Sequence, residues 1–351
     1  TSRDAKSDHP VPLAGVPYHA LDTYLNRLLN HGLTVAICEQ VEDPAKAKGL
    51  VKREVVEIIS PGTATSPELV DSSSGRYCLA WLPRQGGADG WALLDASTGD
   101  FRCGQEVGDL ESLCQRHPVK EVIVSEDTDP GQIGAWRATL GDTVINAANT
   151  SWFHHAFARQ TLLDHFQVAN LTAFGLEDEG REPACTAAGA LLRYLETLSM
   201  RRPDQVTGLR FNARDDRLVL DDETIRNLEL FRTFRGERGE GTLVHHIDRT
   251  LTPMGRRLLE MRLAEAMTDL DELRGWHTGV ASALANRGWR ESLRTVLRQI
   301  GDLERWSARA AAGRIGPAGF RQLGDSLRAL GELQTAGAAG DHDDHPVNSW
   351  L

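Results

Sequence analysis

Residues 13–63 read LAGVPYHALDTYLNRLLNHGLTVAICEQVEDPAKAKGLVKREVVEIISPGT. Leu21, Tyr24, Leu25, Leu28 and Leu29 fall at i, i+3, i+4, i+7 and i+8, which predicts one apolar helix face. Gly32 follows where that helix must stop, because glycine accepts the left-handed cap conformation. Thr34–Cys38 is short, apolar and rich in β-branched residues, which predicts a buried strand. Asp43-Pro44 marks a turn. Val51–Ser60 then reads as a second strand, ended by Pro61-Gly62.

The chain has 351 residues, enough for two or three domains. Its formal net charge is -11, whereas a nucleic-acid binder usually shows a basic footprint. The global balance therefore argues mildly against DNA, although a local basic stripe is what meets phosphate. Cys38, Cys78, Cys103, Cys114 and Cys185 are scattered and odd in number, which argues against a disulfide framework or a zinc module. They suit a reducing cytoplasm. The N-terminus, TSRDAKSDHP, is polar, with no signal peptide, and no run of about 18 apolar residues occurs, so no membrane partner is expected. The opening lacks Met and reads as part of something longer.

Outward from the opening stretch, residues 1–12 read as a loop or a frayed end. Residues 64–76 read as a linker by their Ser, Thr and Pro content. Tyr77–Leu82, Trp91–Ala96 and Asp100–Cys103 read as strands, with Gly86-Gly87 and Thr98-Gly99 in the gaps where hairpin turns belong. Leu110–Arg116 reads as a helix, Val119–Val124 and Thr143–Ile145 as strands, and Phe153–Phe166 and Ala184–Met200 as helices. That order implies an α/β sheet with helices packed on it. From about residue 211 the chain turns helical. Asp221-Asp222-Glu223 caps one helix and Thr252-Pro253 starts another. Residues 269–335 contain almost only helix formers, with expected breaks at Gly275, Gly288, Gly313 and Gly316-Pro317. The tail 341–351 is polar. The fold class is multidomain α/β plus all-α.

The strings AGVPYHALDTYLNRLL, VAICEQVEDPAKAKG and VKREVVEIISPGT closely resemble the mismatch-recognition domain of the MutS family, the bacterial DNA mismatch sensors. The resemblance continues through LLDASTGDF and GALLRYLETL, and then through RNLELFRT, LTPMGRRLLEMRL and RQIGDLERWSAR. It implies a partial mixed α/β mismatch-binding domain at 1–63, a linker at 64–76 and a ribonuclease-H-like connector at 77–210. A helical core, or lever, domain would start at 211–340. The implied function is DNA mismatch repair. The implied partners are mismatched double-stranded DNA, a second copy of the chain, and a MutL-type protein docked on the connector. The full-length family adds an ATPase using ATP and Mg²⁺, and the implied location is the cytoplasm, at the nucleoid.

Two family features are missing from these residues. A Phe-x-Glu motif supplies the family's wedge against a mispaired base, but none of the nine Phe residues has Glu two positions on. In the family that motif lies upstream of the AGVPYH string, so the chain reads as truncated at that end. No G-x-x-x-x-G-K-[ST] occurs, so no nucleotide loop is expected here, and the chain also reads as truncated before the ATPase. RGERGEG at 235–241 lacks the Lys and Ser/Thr that phosphate and Mg²⁺ need, and reads as a turn. LAEAMTD at 263–269 lacks the proline that usually follows this helix in the family.

Lys46, Lys48, Lys52 and Arg53 form the densest basic cluster of the opening domain. They are the candidates for DNA-backbone contact, which positions a protein without reading sequence. Glu54 and Glu57 would partly neutralise them, leaving a solvated face as the alternative. Arg287, Arg290, Arg294, Arg298, Arg305, Arg309 and Arg314, interleaved with Glu291, Asp302 and Glu304, read as i,i+4 pairs on solvated helices. A ribonuclease-H-like nuclease would hold two Mg²⁺ between carboxylates on neighbouring strands. Asp95, Asp100, Glu121 and Glu126 lie near such strands, but an acid at a strand end is ordinarily a turn former. The family uses this fold without that chemistry, so no catalytic residue, cofactor site or metal site is assigned. The alternative function is a protein-interaction scaffold without DNA binding of its own.

Overall fold

The computed structural model describes residues 2–3, 11–12, 20–42, 51–66, 69, 74–84, 87–106, 110–212, 218 and 220–338. Lys46, Lys48, the Asp43-Pro44 turn, Gly86 and the 341–351 tail lie outside the described residues.

The opening unit begins with β1 (Ser2–Arg3) paired antiparallel to β2 (Val11–Pro12), where the sequence suggested a loop. Helix α1 (Leu21–Asn30) is followed by the antiparallel ribbon β3 (Val35–Gln40) and β4 (Arg53–Ile59). Gly32, at φ +76°, stands just past the helix, and its N–H donates to the Leu29 carbonyl at 3.0 Å. This is the left-handed stop that its position predicts. Only Leu25 and Leu29 of the apolar face are buried, against Ile59, Ala64 and Leu69. Tyr24 and Leu28 are exposed. The expectation of a buried β3 is corrected: Val35 and Ile37 pack inward and the rest of the strand faces outward. Helix α1 covers the Val35 and Ile37 side of the ribbon and Ile58 of β4 packs towards the Glu182–Ser199 helix of the second unit, so most of β3 and the first half of β4 stay exposed.

The second unit is a six-stranded sheet in the order β10-β7-β6-β5-β8-β9. Strands β5 (Tyr77–Leu82), β6 (Asp89–Asp95) and β7 (Asp100–Glu106) are antiparallel. After α2 (Leu110–Arg116), β8 (Val119–Ser125) joins β5 in parallel. After α3 (Pro130–Thr139), β9 (Val144–Ala148) joins β8 in parallel. This antiparallel-then-parallel order is the ribonuclease-H-like plan that the resemblance implies. A one-turn 3₁₀ segment, α4 (His155–Phe166) and α5 (Glu182–Ser199) follow, and β10 (Arg210–Asn212) closes the sheet beside β7.

Both faces of this sheet are covered, so β5 reads YCLAWL with no polar alternation. Cys78 and Ala80 face the α4–α5 layer, while Tyr77, Leu79 and Trp81 face the α2–α3 layer. Helix α5 is buried nearly all round, and its alanines let it settle close to the sheet.

The third unit is helical: α6 (Asp222–Asn227), α7 (Leu243–Ile247), α8 (Pro253–Ala264), α9 (Leu270–Ala285), α10 (Arg287–Leu297), α11 (Leu303–Ala311) and α12 (Pro317–Ala338). Thr252 caps α8 by accepting the Gly255 N–H at 3.1 Å, and Pro253 opens it. Helix α9 runs through Gly275 without a break, which corrects the stop expected there. Glycine lowers helix propensity by about 1 kcal/mol, and the neighbouring turns outweigh it. The sequence reading also missed α3, although Asp129-Pro130 carries the same cap-then-proline signature as Thr252-Pro253.

Candidate nucleic-acid interface

Two of the four basic candidates, Lys52 and Arg53, lie at the start of β4. Val41 N–H donates to the Lys52 carbonyl at 3.1 Å, extending the ladder past the strand end. Lys52 Nζ lies 2.6 Å from a Glu54 oxygen, and both side chains are exposed. That hydrogen bond raises the Lys52 pKa above its ordinary value. Lys52 and Glu54 are two apart and share a face, so Arg53 lies on the other face. Arg53 is exposed and makes no ion pair among the described residues. The structure thus separates two residues that the sequence grouped: Lys52 is paired with Glu54, and Arg53 makes no ion pair among the described residues.

Behind the ribbon, the chain enters a polar joint. Glu121 on β8 is fully buried. Its carboxylate accepts from Gly62 N at 2.9 Å, Asn146 Nδ2 at 2.8 Å, and the hydroxyls of Ser60 and Tyr194. Four donors from three chain segments converge on one anion. Asp95, also buried, accepts from Arg76 N at 3.1 Å, Ser97 N at 2.9 Å and Ser97 Oγ at 2.6 Å. Burial lowers the Arg76 pKa, and the charges of Asp95 and Glu121 oppose that shift. Asp100 accepts from Tyr77 Oη at 2.9 Å and from Arg102 Nε at 3.0 Å. Burial pushes the Asp100 pKa up, but Arg102, Tyr77 and Arg210 hold it below the ordinary carboxylate value. Each of these three carboxylates is occupied by donors and works as a local cross-link.

The helical unit docks on this joint through arginines. Arg305 on α11 is 5% exposed; its Nε donates to Ser97 Oγ at 3.1 Å and its Nη2 to the Ser74 carbonyl at 2.8 Å. Arg102 Nη1 reaches Glu265 at 3.0 Å. Arg314 Nη2 lies 2.5 Å from Glu57 on β4, and its Nη1 donates to Thr65 Oγ1 at 3.2 Å. The reading of Arg305 and Arg314 as members of solvated i,i+4 pairs is therefore corrected. Arg287–Glu291 does form such a pair, at 2.8 Å. Arg305 keeps one local pair, with Asp302 at 3.8 Å, but that pair is buried, and the other partners of Arg305 and Arg314 named here lie more than 200 residues away in the chain, where no sequence periodicity reaches.

Three family models match in order: MutS domain I over residues 1–68, MutS domain II over 76–208 and MutS domain III over 223–348. The chain belongs to the MutS family. It carries domains I to III of these DNA mismatch repair proteins, a mixed α/β region followed by a largely helical domain. A DNA mismatch repair protein MutS from Symbiobacterium thermophilum is 39% identical over 347 residues, which cover 96% of this chain and 39% of that protein. The MutS of Desulfosudis oleivorans is 35% identical over 341 residues, 95% of this chain and 38% of that protein. The MutS of Rhodopirellula baltica is 36% identical over 358 residues, with shares of 95% and 39%. The chain thus spans about two-fifths of the length of these relatives. In domain terms, Arg53 lies on the domain I ribbon, Glu121 in domain II receives the end of that ribbon, and Arg305 and Arg314 belong to domain III. Among the described residues no helix is long and apolar enough to cross a membrane.

Proposed function

We propose that this chain carries a DNA-binding part of a MutS-type mismatch repair protein, without the Phe-x-Glu wedge, and that domain I lies along a DNA duplex. The observation that carries this reading is the domain I match over residues 1–68, with an exposed, unpaired Arg53 on its ribbon. Arg53 contacts a backbone phosphate; Lys52 contributes less, because Glu54 already engages it. Lys46 and Lys48, which lie outside the described residues, are the remaining candidates for backbone contact. For the whole protein we further infer dimerisation, ATP and Mg²⁺ at an ATPase domain, a MutL-type partner on domain II and a cytoplasmic, nucleoid-associated location; family membership supports these readings.

The test is fluorescence anisotropy with one labelled duplex carrying a G·T mismatch and a matched duplex of the same length, over a salt series. The proposal expects duplex binding that weakens with salt; because the Phe-x-Glu wedge is missing from these residues, it does not require a preference for the mismatch. The net charge of -11 favours the second reading, a scaffold that binds partner proteins only. Absent binding to both duplexes, together with capture of a MutL-type protein, would establish the scaffold in place of the DNA binder.

A further inference from the structure

Domain I does not close its core with its own helix and ribbon. Among the described residues that core holds Leu25 and Leu29 of α1 and Ile59 of β4, and then Ala64 and Leu69, with Val35 and Ile37 packed against them. Leu69 is buried and lies beyond the residues matched as domain I. One helix on a two-stranded ribbon is marginal by itself, so each buried side chain of so small a core counts. Ile58, next to Ile59 on β4, faces the other way and packs on the domain II core.

Domain II holds the connecting stretch by both kinds of backbone polar group. Glu121 accepts from Gly62 N at 2.9 Å and from the Ser60 hydroxyl. Arg76, buried and the first residue matched as domain II, donates Nε to the Pro61 carbonyl and Nη1 to the Leu69 carbonyl at 3.3 Å. The anion takes donors of the stretch and the cation serves its acceptors. A Cβ built on Gly62 would stand 2.7 Å from Glu121 Cβ, so the backbone runs directly against the carboxylate-bearing side chain.

We propose that Arg76 and Glu121 are positioning residues through which domain II completes the fold of domain I. They fix Ser60, Pro61, Gly62 and Leu69, so that the Leu69 side chain closes the core against α1. The dependence runs one way, because domain II has a cluster of its own on each face of its sheet. The inference concerns the free chain and does not rest on the DNA reading. If that reading holds, the ribbon that presents Arg53 is shaped by two buried residues that touch no DNA.

The test is hydrogen exchange, read peptide by peptide in the full chain, for Leu69→Ala, Arg76→Met and the double variant. Each single variant should speed exchange in α1 by about tenfold or more, with a much smaller change in β5 and β6. The double variant should exchange no faster in α1 than the faster single, because Arg76 acts through Leu69. Three outcomes overturn the proposal: α1 exchange unchanged by Arg76→Met, equal acceleration in α1 and β6, or additive effects of the two substitutions. Should Arg76→Met not fold, Gly62→Ala, which crowds the stretch off Glu121, replaces it and is read in the same way.

Discussion

Arg102 Nη1 lies 3.0 Å from Glu265 Oε1, and this pair fastens the central sheet of domain II just beyond the end of α8 in domain III. The Arg102 side chain is 3% exposed and also bonds Asp100 and the Tyr77 hydroxyl, at 2.5 and 2.7 Å. Its guanidinium therefore joins two partly buried carboxylates from different domains. Arg102→Ala would remove the cation they share, leaving Asp100 only the exposed Arg210 as a cation and Glu265 only Asn212 and a neutral His117, and is expected to cost about 3 kcal/mol in urea denaturation. Arg274→Ala is the contrast. Its pair with Asp271 is 75% and 94% exposed, so about 0–0.5 kcal/mol is expected. Equal losses in the two variants would refute the role given to burial.

His117 gives a pH dependence. Burial, and then the charge of Arg102, hold its pKa well below the ordinary 6.5. Glu265 Oε1 lies 3.4 Å from Nε2, but that carboxylate already receives Arg102, so the ring stays neutral. The unfolded chain takes up a proton near pH 6.5 that the folded chain refuses. Stability from this group is intact above that pH and declines as the pH falls below it, by up to about 1.4 kcal/mol per pH unit. His117→Asn should flatten the decline of the unfolding midpoint between about pH 6.5 and 5. An unchanged profile would show that other groups cause it.

Gly189 marks the close approach of α5 to α4. A Cβ built there would stand 2.2 Å from the Ala158 carbonyl oxygen, a backbone atom that cannot turn aside. Gly189→Ala should therefore destabilise domain II by roughly 1–3 kcal/mol, although alanine is the better helix former by about 1 kcal/mol. Calorimetry showing a raised melting temperature would contradict this packing.

Arg53 and Lys52 should separate in DNA binding, if the proposed function holds. Arg53→Ala removes a cation that no ion pair engages among the described residues, and should reduce the slope of log K against log salt by about 1. Lys52→Ala removes a cation held by Glu54 and should change the slope less. A larger effect at Lys52, read by the same anisotropy titration, would reverse the assignment.

Much of the architecture is legible in short-range pattern. The spacing of Leu25 and Leu29, the stop at Gly32, and the cap Thr252-Pro253 all act through neighbours a turn away, so the letters alone predict them. The apolar strands β5 and β6 announce a sheet covered on both faces. Helix α3 was equally readable from Asp129-Pro130, but a low contrast between its faces hid it. The candidate site was less legible. Lys52 and Arg53 are adjacent letters with the same sign, and only the strand geometry assigns one to Glu54 and leaves the other open.

The sequence by itself determined the family, the order of an α/β region before a helical one, and where many of the helices and strands begin and end, because periodicity and capping are local and are written in consecutive residues. Only the tertiary structure decided which charges are shared across domains. Arg305 meets Ser97 and Arg314 meets Glu57 across more than 200 residues of chain, and such distances close only when the separate units pack. An arginine bound for solvent and one bound for a buried joint carry the same side chain, and their surroundings alone tell them apart.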